Sequence, residues 1–313
     1  TPLSLTATGA SAEETTKKFS LAWSIYVGFM PWYYLDESGI MDKWADKYGI
    51  EVELVQINDY LEAINQYTAG RFDGVTMTNM DMLTIPSAAG VDTTALITGD
   101  FSNGNDAVVL KGRDSLEEIA GLDVYLLELS VSHYTLARAL DSVGLSERDV
   151  QVVNTSDANI VFDSTQIPGE ILDIMGVNTK TLAENPELGK AMTGAWFEAM
   201  AIISGDNEKA REAKQMMAAA AGTDLAGLQK QLDATYLFYT PKAKADYLTS
   251  EQLRETMKFV TEFSFSHGLL GQGASSPGAV GIEFPDGSVL GDPEYVKMRF
   301  NHDFLQMAVD GKL

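Results

Sequence analysis

Aromatic rings and carboxylates recur together in this chain where a short apolar run gives way to a helical pattern, and basic residues are missing from those places. The clearest case is Trp23-Ser-Ile-Tyr-Val-Gly-Phe-Met-Pro-Trp-Tyr-Tyr34, which follows an alternating apolar run beginning at Phe19; no Lys or Arg occurs from Phe19 to Asp42. A strand running into such a loop, with a helix opening at Pro31, places rings at the carboxyl end of the strand, where open α/β sheets hold small ligands. Trp23 and Trp32 are the candidate aromatic walls, with Tyr26 as a polar alternative. A core role would account for any one of these rings taken singly, so it is the recurrence of similar segments that points to a site.

Three further segments share the character. Thr76-Met-Thr-Asn-Met-Asp81 ends a strand and begins a helix; one of Asn79 and Asp81 is expected to cap that helix and the other to face a ligand as an acceptor. Thr98-Gly-Asp-Phe-Ser-Asn-Gly-Asn-Asp106 is rich in turn formers, which explains its glycines and some of its asparagines but not Asp100 and Asp106. Leu127-Glu-Leu-Ser-Val-Ser-His-Tyr134 again runs from strand end to helix start. Ser132 and His133 lie at a helix N-terminus that by itself favours an anionic group, while Glu128 favours a cation. Carboxylates supply charge-assisted hydrogen bonds and ring faces supply cation–π contacts, so the combination suits a small cation.

Other chemistries lack their residues. The sequence has no Gly-x-Ser-x-Gly elbow, no phosphate-binding glycine loop and no zinc-binding His-Glu-x-x-His. His133, His267 and His302 lie far apart with no metal-ligand spacing, so each is expected to be structural or solvent-facing, and no metal, cofactor or catalytic residue is expected. Zero cysteines exclude disulfides and thiolate sites, a usage that fits an oxidising compartment. With 22 basic against 45 acidic residues the net charge is −23, which opposes nucleic-acid and anionic membrane partners. No apolar run approaches roughly 18 residues, so no membrane span is expected. The polar, Ala/Thr-rich start through residue 18 reads as a flexible lead of the kind that follows signal cleavage.

The elements that must position these segments alternate. Candidate strands Phe19–Tyr26, Glu51–Gln56, Gly74–Thr78, Thr94–Thr98 and Ala107–Leu110 are interleaved with helices Trp32–Tyr48, Tyr60–Ala69 and Met80–Ala89, the pattern of βαβ units. A second series follows: strand Asp123–Leu127, helix Ser132–Val143, strand Gln151–Asn154, a helix start at Ser156 and strand Glu170–Asn178. From Glu184 the pattern is mainly helical. The expected fold is α/β and two-lobed, each lobe a doubly wound mixed sheet with flanking helices and a helical C-terminal part. Residues 19–106 with about 205–313 form the first lobe and 107–204 the second. The helix opening at Thr155 meets Phe162-Asp-Ser-Thr-Gln-Ile-Pro-Gly169 after barely two turns, so the second lobe is expected to be shortened at Val161/Phe162.

Taken in order, the Trp23–Trp32 segment, Asn58-Asp-Tyr-Leu-Glu-Ala-Ile-Asn-Gln-Tyr-Thr-Ala-Gly70, Met77–Asp81, Gly99–Asp106, Glu128–Tyr134, Gln166-Ile-Pro-Gly-Glu170 and Gly281-Ile-Glu-Phe-Pro-Asp-Gly-Ser-Val-Leu-Gly291 resemble the periplasmic solute-binding proteins of ABC importers. The likeness is to the nitrate/taurine-type class, nearest the urea-carboxylase-associated subgroup. It implies a type II two-lobed binding fold, a periplasmic, monomeric protein that closes on its ligand and delivers it to an inner-membrane permease, and a ligand of the guanidine or urea type. Relatives continue past Val161 through a helix, a strand and a Trp-Asn-Pro loop that are absent from this chain. Together with the residues above, Glu170 enters the candidate set, and Asp81 and Glu170 rank first among the carboxylates. The alternatives are another small ligand on the same fold, whether amine, amide, nitrate or sulfonate, or a pyrimidine-forming enzyme. The enzyme would need a reactive cysteine and a cofactor-anchoring lysine that these segments lack.

Overall fold

Alternation in the sequence sets the first strand pair. In β2 (Ile50–Gln56) Ile50, Val52 and Leu54 are buried while Glu51 and Glu53 face solvent, the period-2 signature of a strand with one covered face, and β2 is an outermost strand of its sheet. β1 (Lys17–Trp23) runs parallel beside it. These features come from a computed structural model that describes residues 16–313 apart from 111, 114, 127–129 and 155–160. The expected helix from Ser156 and the candidate Glu128 lie outside the described residues.

The remaining strands are β3 (Gly74–Thr78), β4 (Thr93–Ser102), β5 (Ala107–Val109), β6 (Asp123–Leu126), β7 (Gln151–Asn154), β8 (Val161–Asp163), β9 (Leu172–Asn178), β10 (Thr235–Leu237), β11 (Gly281–Glu283), β12 (Val289–Leu290) and β13 (Val296–Phe300). The helices are α1 (Met30–Glu37), α2 (Ile40–Lys47), α3 (Tyr60–Thr68), α4 (Asn79–Met82), α5 (Val131–Ser142), α6 (Thr179–Glu184), α7 (Pro186–Ile203), α8 (Glu208–Ala220), α9 (Leu225–Asp233), α10 (Pro241–Leu248), α11 (Glu251–Ser266) and α12 (Asp303–Val309). Nine strands form one mixed sheet in the order β12-β11-β13-β4-β9-β3-β1-β2, with β10 pairing alongside β4. The smaller lobe holds two strand pairs, antiparallel β5-β8 and parallel β6-β7, with α5.

Several expectations are corrected. The helix expected over Trp32–Tyr48 is two helices, because Gly39 sits between them at φ 68°, a left-handed conformation that ends α1 and starts α2. The chain also leaves the second lobe earlier than expected. β9, anticipated there, lies antiparallel between β3 and β4 at the centre of the main sheet, and α7 packs on α1 and α2. A short run of buried apolar residues reads the same in the middle of either sheet, so periodicity does not reveal which sheet recruits it.

α7 carries the main helical layer. It is buried on nearly all sides, starts with Pro186 at its first turn and lets neighbours approach through glycine: a Cβ at Gly194 would lie 2.3 Å from the Trp44 ring, and one at Gly189 would lie 2.4 Å from Phe304. Lys244 on α10 is fully buried, its Nζ donating to the Leu96 carbonyl at 3.2 Å, and burial pushes its pKa down to about 7.

Candidate functional site

The carboxyl ends of β1, β3 and β4 and the amino end of antiparallel β9 meet at one edge of the main sheet. β4 runs on to Ser102, so Asp100 is a strand residue and not part of a crossover turn, as the glycine-rich sequence around it suggested. Its register partner on β9 is Asp173, and the partner of Asp173 on the other side is Thr78. Two like charges directly opposite on adjacent strands oppose folding. Asp100 is 1% exposed, and no N–H or hydroxyl donor reaches its Oδ2, which leaves the Asp173 carboxyl as its neighbour.

The backbone after β1 closes over this pair. A Cβ at Gly28 would fall 2.0 Å from Asp173 Oδ2 and 2.6 Å from Asp100 Oδ2, so only glycine lets the loop lie against both carboxylates. Burial, the nearness of Asp173 and the charge of Asp106 together hold Asp100 well above the usual carboxylate range. Burial and the charge of Asp106 push Asp173 up to about 7. The two titrate as a unit that retains a proton near neutrality.

Asp106, where the chain crosses to the smaller lobe, is raised chiefly by burial and hydrogen-bonds with Ser102. Asp81 is buried at the start of α4, its Oδ2 accepting from the Tyr60 hydroxyl at 2.6 Å and from Thr78 Oγ1 at 2.8 Å. Burial raises its pKa against those two bonds, and Asp106 adds to the rise. The ring beside these acids is Tyr26. It is 52% exposed, packs edge-on against Tyr60 at 5.5 Å, and its phenol is raised by burial and by the charges of Asp81, Asp173 and Asp106. The charges acting on these groups are all carboxylates. What the arrangement offers is acceptors, negative charge and an aromatic face.

The structure thus brings together Tyr26, Asp81, Asp100 and Asp106 of the expected set and adds Asp173. Other expected residues are engaged elsewhere. Trp23 and Trp32, expected as walls, are core residues: Trp23 is 2% exposed with Tyr33 against it, and Trp32 is 1% exposed and packs on Trp196 at 4.8 Å. The α4 cap is supplied by Thr78, not by Asn79 or Asp81. The Asn79 amide donates to the Glu170 carbonyl and accepts from the Leu172 amide, which fixes the start of β9. Glu170, ranked among the first carboxylates, is held in a fork by Arg138 Nε at 2.7 Å and Nη2 at 2.9 Å and accepts from the Tyr134 hydroxyl at 2.6 Å. Its charge is matched by a guanidinium from one helical turn beyond Tyr134, a cation that the loop-centred reading did not reach.

Ser132 sits in the first turn of α5, its amide bonded to Ser130 Oγ. His133 is buried, and contrary to the expectation of isolated histidines its ring lies 5.0 Å from that of His267, with Glu147 bonded to both. Asp173 was detectable in principle as a lone acid in the apolar run Ile171-Leu-Asp-Ile-Met175, but only pairing with β4 distinguishes it from a surface acid. A surface depression lined by Lys18, Ser20, Asp42, Glu51 and Glu53 lies at the opposite, amino end of β1 and β2 and mixes charges of both signs.

No protein-family model matches the sequence, and a search of curated proteins finds no match. The fold, in contrast, matches solved structures. The sulfonate-binding SsuA of Methylobacillus flagellatus KT superposes with a TM-score of 0.71 at 14% identity, covering 95% of each chain. The aliphatic sulphonate binding protein SsuA of Escherichia coli gives 0.65 at 12% identity over 82% of this chain and 95% of that one. The nitrate-binding protein NrtA of Synechocystis PCC 6803 gives 0.51 at 13% identity over 96% and 99%. The chain has the two-lobed α/β fold of periplasmic binding proteins, with a mixed main sheet. Each of these neighbours is named as a binding protein, and among the described residues no helix is long and apolar enough to cross a membrane.

Proposed function

We propose that this chain is an extracytoplasmic solute-binding protein that captures a small planar nitrogenous cation, guanidinium in preference to urea, and passes it as a monomer to the membrane permease of an ABC importer. The observation that carries this reading is the Asp100/Asp173 pair, opposed across β4 and β9 beneath Gly28, with Asp100 buried and its Oδ2 reached by no N–H or hydroxyl donor. A guanidinium presents paired N–H groups to carboxylates and a flat face to an aromatic ring, and Tyr26 supplies the ring. Sulfonate and nitrate, the ligands named for the neighbouring structures, need donors and positive charge, whereas this cluster presents acceptors. The fold supports the transport role, and the acidic character of this cluster supports a cationic ligand.

Calorimetry at low salt with guanidinium, methylguanidine, urea, nitrate, taurine and Ca²⁺ tests it. Guanidinium should bind most tightly, and Asp100→Asn or Asp173→Asn should weaken it at least tenfold, consistent with one charge-assisted bond of about 1.5–3 kcal/mol. Because binding a cation requires the pair to ionise, affinity should rise from pH 5 to pH 8, by up to about tenfold per unit for each proton released. Preference for nitrate or taurine, or unchanged affinity in both Asn variants, overturns the proposal.

A further inference from the structure

Away from the acidic cluster, His133 on α5, Glu147 in the turn before β7 and His267 at the end of α11 converge, and their ligand atoms all lie within 4.8 Å of one another. We propose that these three residues form a binding site for a divalent transition-metal ion of the Zn²⁺ type. Zn²⁺ takes imidazole nitrogens and carboxylate oxygens, and two histidines with one glutamate are a common protein donor set for it.

The geometry carries the assignment. Glu147 directs one oxygen to each ring: Oε1 meets His133 Nε2, and Oε2 lies 2.8 Å from His267 Nε2. His267 Nδ1 lies 2.8 Å from the Phe263 carbonyl, which can only accept, so Nδ1 carries the proton there. Nε2 is then the ring nitrogen turned toward Glu147 Oε2, and a cation held by both would lie between them. The Nδ1–H to carbonyl bond is also the outer contact that orients metal-binding imidazoles. Both rings are held by Phe263, which stacks on His267 at 4.0 Å and meets His133 edge-on at 5.8 Å. His133 is buried, while Glu147 and His267 are partly exposed, so an ion can enter from the Glu147 side.

The ligands come from two parts of the molecule. His133 and Glu147 flank the β6-β7 pair of the smaller lobe, and α11 follows the return to the larger one. A bound ion therefore ties the lobes together at a point separate from the acidic cluster.

Titration of the chelator-treated chain with ZnCl2 in the presence of millimolar Ca²⁺ tests the site, with calorimetric stoichiometry and the thermal midpoint as readouts. One Zn²⁺ should bind per chain and raise the midpoint. His267→Gln and Glu147→Gln should each weaken binding at least tenfold, whereas His302→Ala, the histidine that pairs with Asp303 on the surface, should leave it unchanged. Circular dichroism of the zinc-free variants keeps loss of binding distinct from loss of folding, and guanidinium titration of the same variants reads the other site separately. Zinc binding that Ca²⁺ abolishes, that exceeds one ion without saturating, or that persists in both Gln variants overturns the proposal.

Discussion

Asp173 shows how a single buried carboxyl makes stability depend on pH. Its pKa is pushed to about 7 against an unfolded value of 3.8, chiefly by burial. The folded state therefore binds the extra proton between those values; the associated stability is fully present below about pH 4 and is lost as pH rises through about 7. Asp173→Asn removes the titration while keeping the shape. The ligand-free variant should match the parent near pH 4 and exceed it in stability at pH 8, by about 1–3 kcal/mol, the range for a buried polar group without a full set of partners. Urea unfolding at the two pH values measures this. An equal effect at both would mean that the pair does not hold a shared proton.

At the scale of elements, α7 and α2 approach through Gly194, and Trp44 cannot step aside. Its Nε1 donates to Glu198 at 2.7 Å, Lys43 reaches the same carboxylate, and Lys47 lies over its ring at 4.4 Å. A methyl group at Gly194 would meet the ring 2.3 Å away. Helix propensity favours alanine over glycine by about 1 kcal/mol, whereas overpacking costs about 1–3 kcal/mol, so the clash should outweigh the propensity gain. Gly194→Ala should lower the denaturation midpoint with an unchanged slope, while Gly222→Ala, beyond the end of α8 at φ 68° with nothing within 4 Å, should lose stability through backbone strain alone. Trp44 fluorescence should shift only in the first variant.

For the molecule as a whole, the two passages between lobes are stitched to each other. Ser164 Oγ bonds Ser102 Oγ at 2.8 Å and accepts from the Gly104 amide at 2.7 Å, and the Ser164 amide donates to the Asp106 carbonyl at 2.7 Å. Asp106 thus belongs both to the acidic cluster and to the link about which the lobes are joined. Ser164→Ala leaves the Gly104 amide without this acceptor. Hydrogen exchange at Gly104 should quicken by about tenfold, equivalent to about 1.4 kcal/mol of local opening, with little change in the β1-β2 pair. Uniform acceleration across the main sheet would mean that the contact stabilises the whole fold and not the link.

What the sequence determined by itself was the set of local preferences. The alternation of Ile50, Val52 and Leu54 with Glu51 and Glu53 specifies a one-sided strand, and the side chain of Asp59 caps α3 as its position before an apolar-periodic stretch requires. The α/β class and the concentration of acids at strand ends follow from the same signals. Tertiary structure decided which of those acids meet. Asp173 joins Asp100 only because β9 inserts between β3 and β4; Glu170, three residues earlier, is neutralised by Arg138; and Trp23 and Trp32 turn inward while Tyr26 stays half exposed. His133 and His267 likewise become neighbours only when α11 packs against α5. Side-chain period and capping are properties of a few consecutive residues, but strand order and ion pairing depend on contacts between residues distant in the chain, which no local pattern encodes.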